Sequence, residues 1–170
     1  SVTRSINMTA IDKMSMDGPF YFNGKLFDMM RIDYHVPIDN IEIWTLTNQT
    51  MVAHPFHIHG VQFYILDRDG NAPPENEKGR KDVVLISPDE TVRFITKFEN
   101  FADSTTPYMY HCHILMHEDD GMMGQYVIDP LSTEIKEIKS DDLVTIFPNP
   151  TNGIVSIETS ITEINNIAVY

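Results

Sequence analysis

The sequence predicts an all-β fold, a Greek-key sandwich followed by a short, incomplete β tail. Between Tyr21 and Ile128, short runs rich in β-branched and aromatic residues alternate with turn residues, and helical periodicity is nearly absent. The chain has 170 residues, of which 42% are apolar, and this suffices for one sizeable core and a small appendage. Two full domains would be crowded in a chain of this length.

About seven strands are predicted along this segment. The first belongs to a hairpin around Asn23-Gly24, because Asn-Gly favours the tight turn that joins paired strands. The other predicted strands are residues 41–46, 61–66, 83–86, 91–98, 108–111 and 123–128. A turn is predicted at 67–70, and the polar, proline-bearing segment 71–80 is predicted to be a surface loop.

The composition divides the chain into three segments. We predict a β domain at 1–130, a linker at 131–141 and a partial β unit at 142–170. The linker is charged, lacks aromatic residues and would struggle to bury a core. Alternation returns in the last segment, with a turn at 148–153 between two strands. Because the sequence begins with Ser1 and ends within an alternating run, we expect it to be part of a longer protein.

Charge and hydropathy argue against two kinds of partner. The 12 basic and 25 acidic side chains give a net charge of −13, so no binding to nucleic acid is expected. No apolar run approaches the roughly 18 residues that a membrane-spanning helix needs, so no membrane span is expected. The single cysteine, Cys112, excludes an internal disulfide, and the fold must therefore depend on its core or on a metal.

Six of the seven histidines lie in two short windows. The windows are HPFHIHG, which contains His54, His57 and His59, and HCHILMH, which contains His111, Cys112, His113 and His117. An even distribution would place fewer than one histidine in so few positions, so the clustering indicates a metal site. The remaining histidine, His35, is interpreted as a surface or hydrogen-bonded residue.

Strand parity divides these histidines into two sets. Residues two apart on a strand share a face, whereas neighbours point to opposite faces. The two imidazoles that flank Cys112 therefore point one way and the thiolate the other, so one strand can serve two metal centres. If the first window is also extended, His57 and His59 lie on one face and His54 lies on the other.

The first set consists of His54, Cys112 and, after a bend, His117. Two imidazoles and a thiolate with a weak axial thioether are typical of a blue-copper site. Met122 follows His117 closely enough for a loop to return it as the axial ligand. The second set has no thiolate and offers half of a larger copper cluster; its members are His57, His59, His111 and His113.

Other chemistries fit these residues less well. Structural zinc sites typically use several cysteines, and a catalytic zinc bound by three histidines would leave Cys112 without a role. A cysteine–histidine nucleophile pair is disfavoured because adjacent residues on a strand face apart. Most of the ten methionines are interpreted as flexible core or edge filler, with Met122 as the exception.

On these motifs, residues 21–128 resemble the C-terminal cupredoxin domain of multicopper oxidases of the bacterial laccase, cuprous oxidase and bilirubin oxidase kind. The two copper motifs carry the resemblance, supported by EIWTLTNQT and KDVVLISPDETVRF. It implies a cupredoxin-like sandwich in which type 1 copper is bound by His54, Cys112 and His117, with Met122 axial. It assigns His57 to type 2 copper and His59, His111 and His113 to the type 3 pair. It also implies that Glu118 helps to deliver protons.

The resemblance implies an oxidoreductase. Type 1 copper would accept single electrons from a small reducing substrate, such as a phenol or cuprous ion, and a trinuclear copper cluster would reduce dioxygen to water. The partner histidines would come from an N-terminal cupredoxin domain, because this sequence has no further His-x-His pair. We therefore expect the isolated chain to hold type 1 copper and at most one loosely bound ion, without oxidase activity.

Two alternatives stay open. A stand-alone cupredoxin electron carrier with one blue copper would have no use for the second histidine set. A nitrite reductase with copper between subunits would need only one histidine beside the thiolate.

The tail carries a separate resemblance. The segment TIFPNPTNGIVSIE resembles the start of the C-terminal sorting domain of type IX secretion substrates. It implies a secreted or cell-surface protein, with the periplasm as second choice.

Overall fold

The computed structural model describes residues 2–131, 144–147 and 156–159. The chain divides into two compact units, residues 1–131 and 132–170. The strands of the first unit are β1 (Val2–Ala10), β2 (Phe20–Phe22), β3 (Tyr34–Pro37), β4 (Ile41–Asn48), β5 (His54–Ile58), β6 (Phe63–Arg68), β7 (Val83–Ile86), β8 (Thr91–Lys97), β9 (Asp103–Cys112) and β10 (Met123–Asp129). A 3₁₀ turn spans Glu75–Glu77, and a short helix, α1, spans Leu115–Asp119. None of the helices described is long and apolar enough to cross a bilayer.

These ten strands form two five-stranded sheets. The orders are β2-β1-β4-β8-β6 and β3-β10-β9-β5-β7. Strand β1 runs parallel to β4 and β3 runs parallel to β10, whereas the other neighbours are antiparallel. The predicted all-β sandwich is therefore confirmed.

Alternating side chains of both sheets form the core. In β4 every second residue is buried, so its apolar face turns inward. The fully buried Trp44 of this strand stacks on Phe94 of its own sheet and contacts Tyr110 and Tyr126 of the other, with ring centroids 5.9 to 6.3 Å away. Aromatic packing thus joins the two sheets next to the strand that carries Cys112.

Several element boundaries differ from the sequence predictions. Strand β1 was not predicted, because its alternation is limited to the buried pair Ile6 and Met8 in an otherwise polar run. The Asn23-Gly24 turn is present, with positive φ at both residues, but one isolated bridge replaces the predicted second strand. Strand β9 begins five residues earlier than predicted. Residues 71–80 form the predicted surface loop.

The second unit contains one described hairpin. Its strands, β11 (Val144–Phe147) and β12 (Ser156–Thr159), pair antiparallel. The predicted turn at 148–153 and the predicted linker, apart from residue 131, lie outside the described residues. The sorting-domain interpretation of this tail also falls largely on residues outside the described ranges and stays a prediction.

Candidate metal centre

The two histidine windows lie on neighbouring strands. Strands β5 and β9 pair antiparallel, with Phe56 opposite Cys112 and His57 opposite His111. Both strands are central in their sheet, and the burial of β5 alternates, so that His54 is fully buried while His57 is half-buried on the opposite face. The pairing register thus places one set of donors inside the sandwich and the other set outside it.

The inner set brings together three donor atoms. Sγ of Cys112 lies 3.6 Å from Nδ1 of His54 and 3.5 Å from Nδ1 of His117. All three residues are buried, and their donor atoms lie within 4.8 Å of one another. The ring of Phe20 packs against both imidazoles, at centroid distances of 4.7 and 4.5 Å. An apolar wall therefore limits the rotation of both rings.

Helix α1 makes the bend that returns His117 and Met122 to Cys112. After β9 the chain turns through this short helix, and the N–H of Met122 then donates to the carbonyl of His117 at 2.9 Å. The N–H of Cys112 donates to the carbonyl of Met122 at 3.1 Å. Met122 is fully buried in the same core. Its backbone is thus held beside Cys112, and both side chains belong to the same buried core.

Burial sets the protonation of the inner donors. It raises the pKa of the Cys112 thiol to about 11, and the nearby charge of Glu118 acts in the same direction. Burial and the neighbouring His117 lower the pKa of His54 to about 4. Burial also lowers the pKa of His117. Near neutral pH the set therefore offers two neutral imidazoles and a thiol whose proton a soft cation displaces, which fits copper.

The outer set forms a second group of donors. The Nε2 atoms of His59 and His111 face each other at 3.2 Å, and the donors of His57, His59 and His111 lie within 4.8 Å of one another. The ring of His113 lies 5.5 Å from that of His57 and 5.7 Å from that of His111. The structure thus groups all four histidines on the side of β9 opposite to the sulfur.

Backbone carbonyls orient two of these rings. Nδ1 of His57 donates to the carbonyl of Asp82 at 2.8 Å, and Nδ1 of His111 lies 3.0 Å from the carbonyl of Cys112. Because a neutral imidazole carries one N–H, both rings keep Nε2 free as a lone-pair donor. Nε2 of His111 faces the cluster through its contact with His59, and a set of neutral imidazoles fits a metal.

The outer cluster is open to one side. His111 is buried and His57 half-buried, but His59 and His113 are exposed. A cleft of about 800 Å³ lies beside His57 and His59 and is lined by Tyr64, Arg80 and Tyr108, among others. The four-histidine cluster is therefore presented at a surface, unlike the inner set.

Comparison with known proteins agrees with this arrangement. The family model described as multicopper oxidase matches residues 2–132. The chain belongs to the multicopper oxidase family. Copper is the metal that this family uses, and both donor sets of the chain fit it.

Three relatives show how much of such an oxidase this chain represents. The multicopper oxidase mco of Staphylococcus aureus is 44% identical over 114 residues, which are 65% of this chain and 25% of that protein. The solved laccase from Pediococcus acidilactici is 42% identical, with a TM-score of 0.66 over 75% of this chain and 27% of that one. A laccase-like multicopper oxidase from Ochrobactrum sp. is 37% identical, with a TM-score of 0.64 over 75% and 30%. The multicopper oxidase chain described here spans about a quarter of the length of the curated relatives it matches.

The acidic residue Glu118 lies closer to the outer cluster than its place in the sequence indicates. It follows His117 in α1, yet its Oε2 lies 3.2 Å from Nδ1 of His111. Its side chain is about one-third exposed, at 32%. The carboxylate thus connects a cluster histidine with solvent, although its role in proton delivery stays a proposal.

Sequence reasoning missed the polar residues that hold the histidine rings. Thr50 and Asn48 form a buried network against His54, and the carbonyl of Asp82 fixes His57. No motif identifies them, since the contacts depend on how distant strands meet. Five of the methionines interpreted as core or edge filler are exposed and therefore lie outside the core: Met14, Met16, Met29, Met30 and Met116.

Proposed function

We propose that this chain is the copper-binding C-terminal domain of a larger multicopper oxidase. The whole enzyme couples one-electron oxidation of a small reductant to the four-electron reduction of dioxygen to water. One observation carries the proposal: β9 places Cys112 in a buried three-donor set and the adjacent His111 in a four-histidine cluster on its other side. An oxidase of this kind needs both centres in close covalent connection.

The inner set would hold the type 1 copper through His54, Cys112 and His117, and the buried Met122 would offer its thioether as a fourth donor. Copper held there supplies reversible one-electron chemistry. The chain contributes the fixed positions of the donors, because Phe20 packs against both imidazoles and the backbone of Met122 is bonded to Cys112. Burial keeps water from the thiolate.

The outer set holds half of the ligands of a trinuclear copper cluster. His57 serves type 2 copper, and His59, His111 and His113 serve the type 3 pair. An N-terminal cupredoxin domain of the same parent supplies the remaining imidazoles and covers the exposed His59 and His113. The support is the open side of the cluster together with the chain's share of its relatives' length.

Glu118 passes protons between solvent and this cluster. Its Oε2 approaches His111, and its partial exposure gives it a route to water. A Glu118→Gln variant of the parent keeps the shape of the side chain and should lower dioxygen consumption at least tenfold, with the blue absorption band unchanged. Full activity in this variant would remove Glu118 from the mechanism.

The reductant is a small molecule such as a phenol or cuprous ion. The Ochrobactrum relative is described as having oxidase activity towards lignin model compounds and lignosulfonate, which supports a phenolic substrate. We further propose that the parent acts outside the cytoplasm, at the cell surface or secreted, on the strength of the sorting-domain resemblance of the tail. Fractionation of the source cells tests this location.

Oxygen uptake tests the shared cluster. The copper-loaded 170-residue chain should not consume dioxygen with a phenol, whereas the parent with its upstream domain should. Efficient uptake by the monomeric chain would contradict the shared cluster. A fully loaded parent without oxidase activity would favour the electron-carrier alternative, for which the four-histidine cluster has no use.

A further inference from the structure

A buried hydroxyl group touches the type 1 ligand His54 on the side away from the sulfur. Oγ1 of Thr50 lies 2.9 Å from Nε2 of His54, while Nδ1 of the same ring faces Sγ of Cys112 at 3.6 Å. Thr50 and His54 are both fully buried. Which of the two ring nitrogens carries the proton therefore depends on this hydroxyl, because water has no access to replace it.

The orientation of the neighbouring Asn48 is fixed by its surroundings. Its Nδ2 lies within 3.2 Å of three backbone carbonyls, those of Val52, Ile86 and Ser87. Its Oδ1 accepts from the backbone N–H of Thr50 at 2.9 Å. Exchange of the amide nitrogen and oxygen would set the oxygen against three carbonyls, so Oδ1 must be the atom that faces Thr50.

Counting protons then fixes the direction of the bond to His54. The Thr50 hydroxyl has one proton and lies near two oxygens that can only accept, Oδ1 of Asn48 at 2.8 Å and the carbonyl of Val52 at 3.0 Å. If the hydroxyl donated to His54 instead, both of these short oxygen–oxygen contacts would lack a hydrogen atom, so the proton goes to one of the two oxygens. The hydroxyl oxygen has two lone pairs, one of which faces the backbone N–H of Val52 at 3.3 Å, and the other accepts from Nε2 of His54. Nδ1 consequently keeps the lone pair that faces the sulfur.

We propose that Thr50 is a positioning residue for copper: its hydroxyl oxygen accepts the Nε2–H of His54 and so holds the Nδ1 lone pair toward Cys112. The inference rests on the proposed function only in naming copper as the ion. Asn48 anchors the hydroxyl to the backbone beyond β7, so the position of this lone pair is set by contacts between the two sheets.

The metal-free chain provides a test that needs no copper. Long-range ¹H–¹⁵N NMR correlations of the His54 ring report which nitrogen carries the proton. We expect a single Nε2–H tautomer in the wild type and in Thr50→Ser, which keeps the hydroxyl, and loss of that single tautomer in Thr50→Val. An Nδ1–H tautomer in the wild type would overturn the inference, even if no variant folds.

Copper titration gives the second measurement. Cu²⁺ is added to the full chain while the thiolate-to-copper absorption band is followed, so that ions in the four-histidine cluster do not contribute. We expect the affinity to fall about 10- to 100-fold in Thr50→Val and to be largely restored in Thr50→Ser. An unchanged affinity in Thr50→Val would overturn the positioning role.

A matched control separates positioning from general destabilisation. Thr96 of β8 is also buried, and its hydroxyl donates to the carbonyl of Gln62 at 3.0 Å rather than contacting a donor of the inner set. Thr96→Val removes an equivalent hydroxyl and should leave both the tautomer and the affinity unchanged. Equal losses in both valine variants would mean a structural role only. A wild type without a blue band would refute the copper assignment, while the NMR result would still decide where the proton lies.

Discussion

The inner three-donor set and the outer four-histidine cluster lie on opposite sides of one strand and differ chiefly in enclosure. Around Cys112 every donor residue is buried, and two imidazole nitrogens lie 3.5 and 3.6 Å from the sulfur. Across the strand, His59 and His113 are exposed beside a cleft. The difference supports the proposal that the chain completes one copper site by itself and that a partner domain completes the other.

The largest effect is expected from a substitution that disrupts only the inner site. Replacing Cys112 with serine removes the soft thiolate, so the blue absorption band should disappear completely and copper affinity there should fall more than 100-fold. Absorption spectra and copper-to-protein ratios measure both quantities. The outer cluster should still bind its ion, because its histidines do not use the sulfur. A blue band that survives in this variant would mean that the inner site is misassigned.

Copper loading should stabilise the chain strongly through the inner site. An ion that binds only the folded state adds about 4 kcal/mol to the free energy of unfolding at a thousandfold excess over its dissociation constant. Thermal unfolding with and without Cu²⁺ measures the gain. The Cys112→Ser variant serves as control and should keep only the small share due to the outer cluster. Equal gains in stability in the wild type and in Cys112→Ser would contradict the assignment of the stabilising ion to the inner site.

Acid should destabilise the metal-free chain through the buried imidazole of His54. Its pKa is about 4 in the fold, lowered by burial from 6.5, so the unfolded state binds more protons between these values. Stability should therefore fall as the pH is lowered from 6.5 to 4, by up to about 3 kcal/mol for this group.

Urea unfolding across this pH range measures the slope. The slope should flatten in His54→Asn, because asparagine has no group that titrates in this range. Identical slopes in the wild type and His54→Asn would show that burial does not hold this ring neutral.

The smallest expected effect concerns the outer cluster. Removing one exposed ligand, as in His59→Ala, should weaken binding of the second copper ion by about tenfold, which corresponds to about 1.4 kcal/mol. Equilibrium dialysis measures this change, and the blue band should stay intact. Loss of the band in this variant would show that the two sets are not separate.

The sequence was sufficient to predict the fold class and the two-sided arrangement of donors. Strand alternation depends on local geometry only, so the opposition of Cys112 and His111 follows from their adjacency once β9 is extended. The histidine windows lie on paired strands, and their register then groups the donors. The all-β sandwich, which the structure confirms, could be predicted for the same reason. Runs of β-branched and aromatic residues are local signals.

The features that sequence did not predict depend on tertiary contacts. Asn48 and Thr50 orient His54 only because β4 ends beside the turn that follows β7. Glu118 reaches His111 because α1 folds back over the end of β9. Strand β1 is stabilised by pairing with β4 rather than by its own weak pattern. Such contacts join residues that are far apart in the sequence, so no local sequence pattern predicts them.

The most direct test is a crystal structure of the copper-loaded chain with anomalous data at the copper absorption edge. We expect one peak bound by Sγ of Cys112 and the Nδ1 atoms of His54 and His117, and any second peak across β9 among the four histidines. A peak that shares Cys112 with His111 or His113, or a loaded crystal with no copper at the sulfur, would contradict the separation of the two sites.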